Sequence, residues 1–348
     1  YDVYLINVCG EWNNYKKFFL NNSINQIKLS FNYFKFLPKK GFISSRLSYF
    51  LIYIISFVPL LILLKKNKPD IIFLHLITSL PLTILRIFKF KTNFILRISG
   101  YPKLNIIRKL IWKSVSGKIK FITCPTSDLK KDLERLNIFD CKKIYFLPDA
   151  IIRIENFKRE TNLFLDKKIP KNKKIILSAG RLTHQKNYLY LIDEFFEFSK
   201  INDEFVLLIL GDGEKKNKIM RFIKKRGVED KVFLLGHKSN IYDFMRNSTA
   251  FILSSLWEEV GFVIVEAALC NSFVISSNCP NGPKEFLDKG KRGILFESNK
   301  KKALLNSLKN FSTMNKNQIF QHKVRLKKEA KKYKIFNHYI ELNKILEL

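Results

Sequence analysis

Three carboxylates and two cations in this sequence have types and spacing that chemistry could use. In 254-SSLWEEVGFVIVEAALC-270, Glu258 and Glu259 stand side by side in a polar turn, and Glu266 lies in the apolar segment that follows. An ionised carboxylate on an apolar helix face is costly unless a group outside the helix hydrogen-bonds to it, so Glu266 points to a ligand. A helix opening near Gly261 offers the amides of Val260, Gly261, Phe262, Val263 and Ile264 as donors with partial positive charge. Phosphate at those amides, with vicinal hydroxyls at Glu258 and Glu266, describes a sugar nucleotide. The plainer alternative is a capped helix with one snorkelling glutamate.

The two cations lie in 180-GRLTHQKN-187. Gly180 permits a tight exit from the strand 174-KIILSA-179, and Arg181 and Lys186 flank a short loop. A guanidinium fork, an ammonium and a nearby helix start suit a diphosphate. A solvated basic loop before an ordinary helix is the competing reading.

Both stretches need a strand before them and a helix after them, and the pattern supplies these. Short apolar runs predict strands at 2–7, 70–76, 93–98, 119–124 and 143–147, and again at 173–179, 205–210, 231–235, 249–253 and 273–277. Helical spacing separates them, as in 127-SDLKKDLERLNI-138, with Ser127 as its expected cap, and in 187-NYLYLIDEFFEFSK-200. Repeated strand and helix predict an α/β fold of two doubly wound, Rossmann-like parallel-sheet domains facing across a cleft. The charged, aperiodic stretch 153–174 marks the break. The expected domains are 1–160 on the acceptor side, 161–320 for the nucleotide-sugar, and a helix over 321–348 that packs back toward the first.

At 348 residues and 47% apolar content, the chain has material for two such cores. The net charge of +33 fits nucleic acid, an anionic membrane surface or an anionic small substrate. It is also what a compositionally biased, low-GC genome produces. No nucleic-acid signature accompanies it, so nucleic acid is not expected as a partner. The five cysteines are scattered and never form C-x-x-C, which predicts a reduced, cytoplasmic protein without structural zinc. The chain opens on the β-type run YDVYLIN with no signal-peptide pattern. The apolar segment 47–64 reads as a membrane span, a buried helix or a surface-docked helix with basic flanks at Arg46, Lys65, Lys66 and Lys68. Pro59 is expected to interrupt it. Asp212 and Glu214 mimic a D-x-D metal site, but a strand-ending turn explains them, and no metal or other cofactor is expected. Asp128 and Asp132 read as a solvated helix face.

GRLTHQKN, with the E-x7-E pattern from Glu258 to Glu266, resembles the carboxyl-terminal domain of the retaining GT-B glycosyltransferases of family 4. The strand ending in 211-GDG-213, 232-VFLLGH-237 and 279-CPNGPKEFLDKGKRGILF-296 fit the same pattern. The resemblance is specific over about 173–297. It implies that Arg181 and Lys186 hold the donor diphosphate, Glu258 the donor-sugar hydroxyls and Glu266 the ribose hydroxyls. Gly236, His237 and Lys238 would meet the base. It implies retention of anomeric configuration and no protein nucleophile. A UDP- or GDP-linked donor is expected, and the apolar 47–64 segment with the basic surface points to a lipid-linked or surface-polysaccharide acceptor met at the cytoplasmic face of a membrane. The alternatives are an inactive scaffold that binds anionic surfaces or nucleic acid, and a sugar-nucleotide epimerase or hydrolase.

The sequence departs from the family's pattern in three places. Ser99 and Gly100 in 94-FILRISGYP-102 stand where many members have His, which leaves Arg97, Ser99, Gly100 and backbone as candidates from the first domain. His75 matches another family position and reads as structural or catalytic. Glu259 stands where the family often has Gly and has no assigned role. The family's first strand, Gly-rich turn and helix have no counterpart before YDVYLIN, so the resemblance predicts a fragment with an exposed sheet edge and weak or no activity.

Overall fold

The computed structural model describes residues 2–10, 24–38, 42–75, 78–102, 104–153, 169–170 and 172–347. The predicted division at 160 and most of the stretch around it lie outside the described residues. Contacts gather residues 1–98, 102–123 and 133–144 into one compact unit, and 99–101, 124–132 and 145–348 into a second.

In the first unit the chain runs β1 (Tyr4–Asn7), β2 (Asn25–Lys28), α1 (Phe42–Asn67), β3 (Ile71–Leu74), α2 (Ser79–Ile87), β4 (Asn93–Arg97), α3 (Ile106–Val115) and β5 (Ile119–Cys124). Then come α4 (Ser127–Arg135), most of which groups with the second unit, and β6 (Ile144–Phe146). β1 and β2 pair in parallel as a two-stranded sheet, while the other four strands form a sheet in the order β3-β4-β5-β6. β4 is buried through Phe94, Ile95 and Leu96, whereas β1 and β3 leave Tyr4, Leu5 and Phe73 exposed.

α1 corrects the expected break at Pro59, because the helix runs through it without interruption. Proline forfeits the bond to the carbonyl four residues back. A continuous buried stripe, Ile52, Ser56, Leu60, Leu63 and Leu64, still holds the two halves on one axis. Tyr33 anchors the stripe with a 2.7 Å hydrogen bond between its hydroxyl and Ser56 Oγ.

The second unit continues with β7 (Lys174–Ala179), α5 (Tyr188–Ser199), β8 (Phe205–Leu210), α6 (Lys216–Arg226), β9 (Val232–Gly236), α7 (Ile241–Asn247) and β10 (Ala250–Leu253). After these come α8 (Phe262–Leu269), β11 (Phe273–Ser277), α9 (Gly282–Phe286), β12 (Ile294–Phe296), α10 (Ala303–Thr313), α11 (Lys316–Ala330) and α12 (Ile335–Leu346). Its sheet is parallel in the order β12-β11-β10-β7-β8-β9. Successive residues feed two cores, because side chains alternate across a strand. Leu177, Leu208, Phe251 and Val274 pack on one face, and Ile176, Leu207, Ile252 and Ile275 on the other. Burial on both faces is why these strands read as unbroken apolar runs.

One predicted cap is corrected. Ser127 is already inside α4, and Thr126 Oγ1 caps it by accepting from the Leu129 amide at 3.2 Å. The two amides ahead of Leu129, those of Ser127 and Asp128, donate to Glu285 Oε1 and Oε2, each at 3.0 Å. Three orphan donors of the helix start are thereby satisfied.

Candidate functional site

The order of the second sheet decides where the motifs meet. The chain winds outward through β7, β8 and β9, returns to the middle, and winds the other way through β10, β11 and β12. β7 and β10 are therefore neighbours, paired Ala250 to Ile176 and Phe251 to Leu177, and the loops leaving their carboxyl ends lie side by side at the topological switch point. Those loops are 180–187 and 254–261. Leu256 N donates to the Gln185 carbonyl at 2.8 Å, Gln185 Nε2 donates to the Trp257 carbonyl at 2.8 Å, and Ser254 Oγ donates to the Lys186 carbonyl at 2.8 Å.

This stitching brings two of the predicted residues into contact. Lys186 Nζ lies 2.5 Å from Glu258 Oε1, with side chains 15% and 8% exposed. Ser255 Oγ donates to the same oxygen at 2.5 Å, and Ser277 Oγ fixes the Ser255 carbonyl at 2.7 Å. Buried Tyr188 stands beside this group, and burial pushes its phenol well up, so it stays protonated. Burial likewise pushes the Cys279 thiol up to about 11, which keeps it an inert thiol next to the carboxylate.

Arg181 is exposed, and among the described residues nothing hydrogen-bonds or ion-pairs with its guanidinium. Its loop is tied to the turn after β8, since Leu182 N donates to the Asp212 carbonyl at 2.9 Å and Gly180 N to Leu210 at 3.0 Å. The turns approach so closely that a Cβ on Gly211 would stand 1.9 Å from the Gly180 carbonyl oxygen, which explains the glycine in GDG. Asp212 is spent on structure: it accepts from Gly213 N at 2.8 Å and pairs with Lys216 at 2.9 Å. Gly236, with φ of 71°, ends β9 and accepts from Gly211 N at 2.8 Å, which places exposed His237 and half-buried Lys238 on the loop just beyond.

α8 begins where the sequence predicts. Gly261 takes φ of 76° at its N-cap, a left-handed geometry that glycine tolerates best. The expected row of free amides is shorter than predicted, because Ile264 N already donates to the Gly261 carbonyl at 3.0 Å. Phe262 is half-exposed at 48%, and Val260 is buried. Glu266 lies one turn in, and its Oε1 accepts from the Tyr242 hydroxyl of α7 at 3.0 Å. Burial raises the Glu266 carboxyl above the usual value of 4.5, and the Tyr242 hydrogen bond partly offsets this. Among the described residues, this half-buried carboxylate thus accepts one hydrogen bond, from Tyr242.

From the first half of the chain, His75 follows β3 and is exposed, Arg97 closes β4, and Ser99 and Gly100 begin the next loop. His75 and Arg97 group with the first unit, while Ser99 and Gly100 group with the second. Sequence reasoning missed Ser255, Tyr242 and Glu285. Ser255 had a signal, a hydroxyl three residues before a motif carboxylate; the other two are supplied from other helices and had none.

A parallel α/β sheet with cations and carboxylates gathered at its switch point, in a chain that carries a second parallel sheet, defines the GT-B class of fold. The family described as "Glycosyl transferases group 1" matches residues 160–333, and the chain belongs to that family. An uncharacterised glycosyltransferase of Methanocaldococcus jannaschii is 31% identical over 242 residues, 65% of this chain and 59% of that protein. The Campylobacter jejuni N-acetylgalactosamine-N,N'-diacetylbacillosaminyl-diphospho-undecaprenol 4-alpha-N-acetylgalactosaminyltransferase is 31% identical over 136 residues, 39% of this chain and 36% of that one. The chain thus spans less than two thirds of either relative. Among solved structures, the Anabaena HepE protein in complex with UDP superposes with a TM-score of 0.74 over the whole of both chains at 13% identity.

Proposed function

We propose that this protein is a retaining glycosyltransferase that moves a hexose or N-acetylhexosamine from a UDP- or GDP-linked donor to a lipid-linked or surface-polysaccharide acceptor. The observation that carries the reading is the meeting of Lys186, Glu258 and Ser255 at the β7 and β10 switch point, with Arg181 on the same loop and Glu266 one turn into α8. Arg181, Lys186 and the amides ahead of α8 receive the diphosphate; Glu258 accepts from sugar hydroxyls and Glu266 from the ribose. In the transfer the bond from the anomeric carbon to the phosphate oxygen breaks and one to the acceptor oxygen forms on the same face. The acceptor proton passes to the departing diphosphate. The protein's share is positioning and stabilisation of the leaving charge, which needs no protein nucleophile.

The acceptor class draws support from α1. Leu47, Phe50, Ile54, Val58 and Ile62 form an exposed apolar stripe, each 50 to 60% exposed, opposite the buried one. The helix over 46–67 is long and apolar enough to cross a membrane. With one face committed to its own unit and cations at Arg46, Lys65, Lys66 and Lys68, docking on an anionic, cytoplasmic-face membrane is the favoured reading. Incubating the protein with membranes and a panel of sugar nucleotides should release nucleoside diphosphate. If no donor turns over and Glu258→Ala leaves donor binding unchanged, the proposal fails.

A further inference from the structure

Gly100, which groups with the second unit, lies beside the motif turn. A Cβ added to Gly100 would stand 3.1 Å from Glu259 Oε1, 3.2 Å from its Cγ and 3.4 Å from its Cδ. Gly100 has no left-handed φ, so the backbone would accept other residues there. What the missing side chain provides is space for the Glu259 carboxylate.

The backbone that presents this carboxylate is fixed. The Glu259 carbonyl accepts from Gly282 N at 2.9 Å, the Glu258 carbonyl accepts from Asn281 Nδ2 at 3.3 Å, and Val260 is buried at 1% exposure. Glu258, one residue earlier, is inside and paired with Lys186, whereas Glu259 turns outward and is exposed. The chain therefore carries two carboxylates in succession after β10, one buried against Lys186 and one exposed beside Gly100. Glu259 is also the motif residue that the sequence pattern leaves without a role, and the fold puts it beside Gly100.

We propose that Glu259, seated over Gly100, is a specificity-determining carboxylate of the sugar subsite that accepts a hydrogen bond from one hydroxyl of the transferred sugar. This rests on the sugar-nucleotide reading above. A carboxylate that accepts from a hydroxyl favours the donor that supplies it over the epimer that cannot, because the epimer forfeits that hydrogen bond.

The test is kinetic. kcat/KM is measured for pairs of UDP- and GDP-sugars that differ at one hydroxyl, with wild type, Glu259→Ala, Glu259→Gln and Gly100→Ala, alongside calorimetric binding of the bare nucleoside diphosphates. Glu259→Gln keeps the side-chain volume against Gly100 and controls for folding. The expected result is a loss of about tenfold to a hundredfold on the preferred donor in Glu259→Ala and a compressed ratio between epimers. A partial loss of the same kind is expected in Gly100→Ala, which crowds the carboxylate, with nucleoside diphosphate binding unchanged throughout. An epimer ratio unchanged in Glu259→Ala, or an equal loss of bare nucleoside diphosphate binding, overturns the proposal while the transferase reading stands. A wild-type protein that turns over no donor defeats that reading itself, and this inference with it.

Discussion

Removing either partner of the Lys186 and Glu258 pair should expose how strongly the two motifs depend on each other. At 2.5 Å the gross attraction is about 7 kcal/mol for an effective dielectric near 20. Desolvating both groups cancels much of this, but deleting one leaves the other buried and uncompensated, a loss of about 3 kcal/mol. Lys186→Met and Glu258→Gln should each cost that amount in urea unfolding. For a unit of this size, each should lower Tm by about 6 to 12 °C. The double variant removes both charges and should cost less than either single change added to the other by at least about 2 kcal/mol. Additivity to within about 0.5 kcal/mol would show that the two groups do not interact in solution and would disprove the coupling.

Other expectations follow from the same contacts. Glu285→Ala strips two amides of α4 of their acceptor and should cost about 1 to 2 kcal/mol in chemical unfolding. An unchanged midpoint would count against Glu285 as part of the α4 cap. Because the folded Glu266 carboxyl titrates above its ordinary value, the folded state holds a proton that the unfolded chain has released. Its contribution therefore favours folding at low pH and is lost as pH rises through the raised value. Tyr242→Phe removes the bond that favours ionisation and should move this loss to higher pH in a thermal series between about pH 4 and 7, while Glu266→Gln should abolish it. Val58→Glu with Ile62→Glu should weaken sedimentation with vesicles containing anionic lipid without shifting Tm, since both side chains are already exposed. Added salt should weaken binding of the wild type, each flanking cation contributing about 1 kcal/mol. Vesicle binding that ignores both charge and substitution would remove α1 from the interface.

A large part of the fold and of the site reads directly from the residue pattern. β8 and β11 have the bounds their apolar runs predict, and Gly180, Glu258 and Glu266 fall at the strand ends and helix turn expected of them. The illegible parts share a physical cause, that they depend on what lies across the fold. β2 is NQIK, whose polar residues give no hydrophobic signal, so it is a strand only because β1 pairs with it. The neighbouring of β7 and β10 is a property of sheet order, which local pattern does not encode, and the Lys186 to Glu258 pair across 72 residues follows from it. Thr126 displaces Ser127 as cap because the residue one place earlier aims its hydroxyl at the right amide, and Glu285, far along the chain, completes the cap. α1 passes through Pro59 because packing on its buried side outweighs one lost backbone bond.

The proposed function stands or falls on whether a nucleotide sugar is held at the switch point between β7 and β10, and Arg181 offers the cleanest probe of it. Its guanidinium is exposed and, among the described residues, engaged with nothing, so Arg181→Ala should fold as wild type does. Calorimetric titration of both proteins with UDP- and GDP-linked hexoses is the direct measurement. Binding by the wild type is expected, with affinity about tenfold or more weaker in Arg181→Ala, the loss expected for a charge-assisted phosphate contact. Equal affinity in the two proteins, or no binding of any donor by the wild type, would show that the nucleotide sugar is not held there.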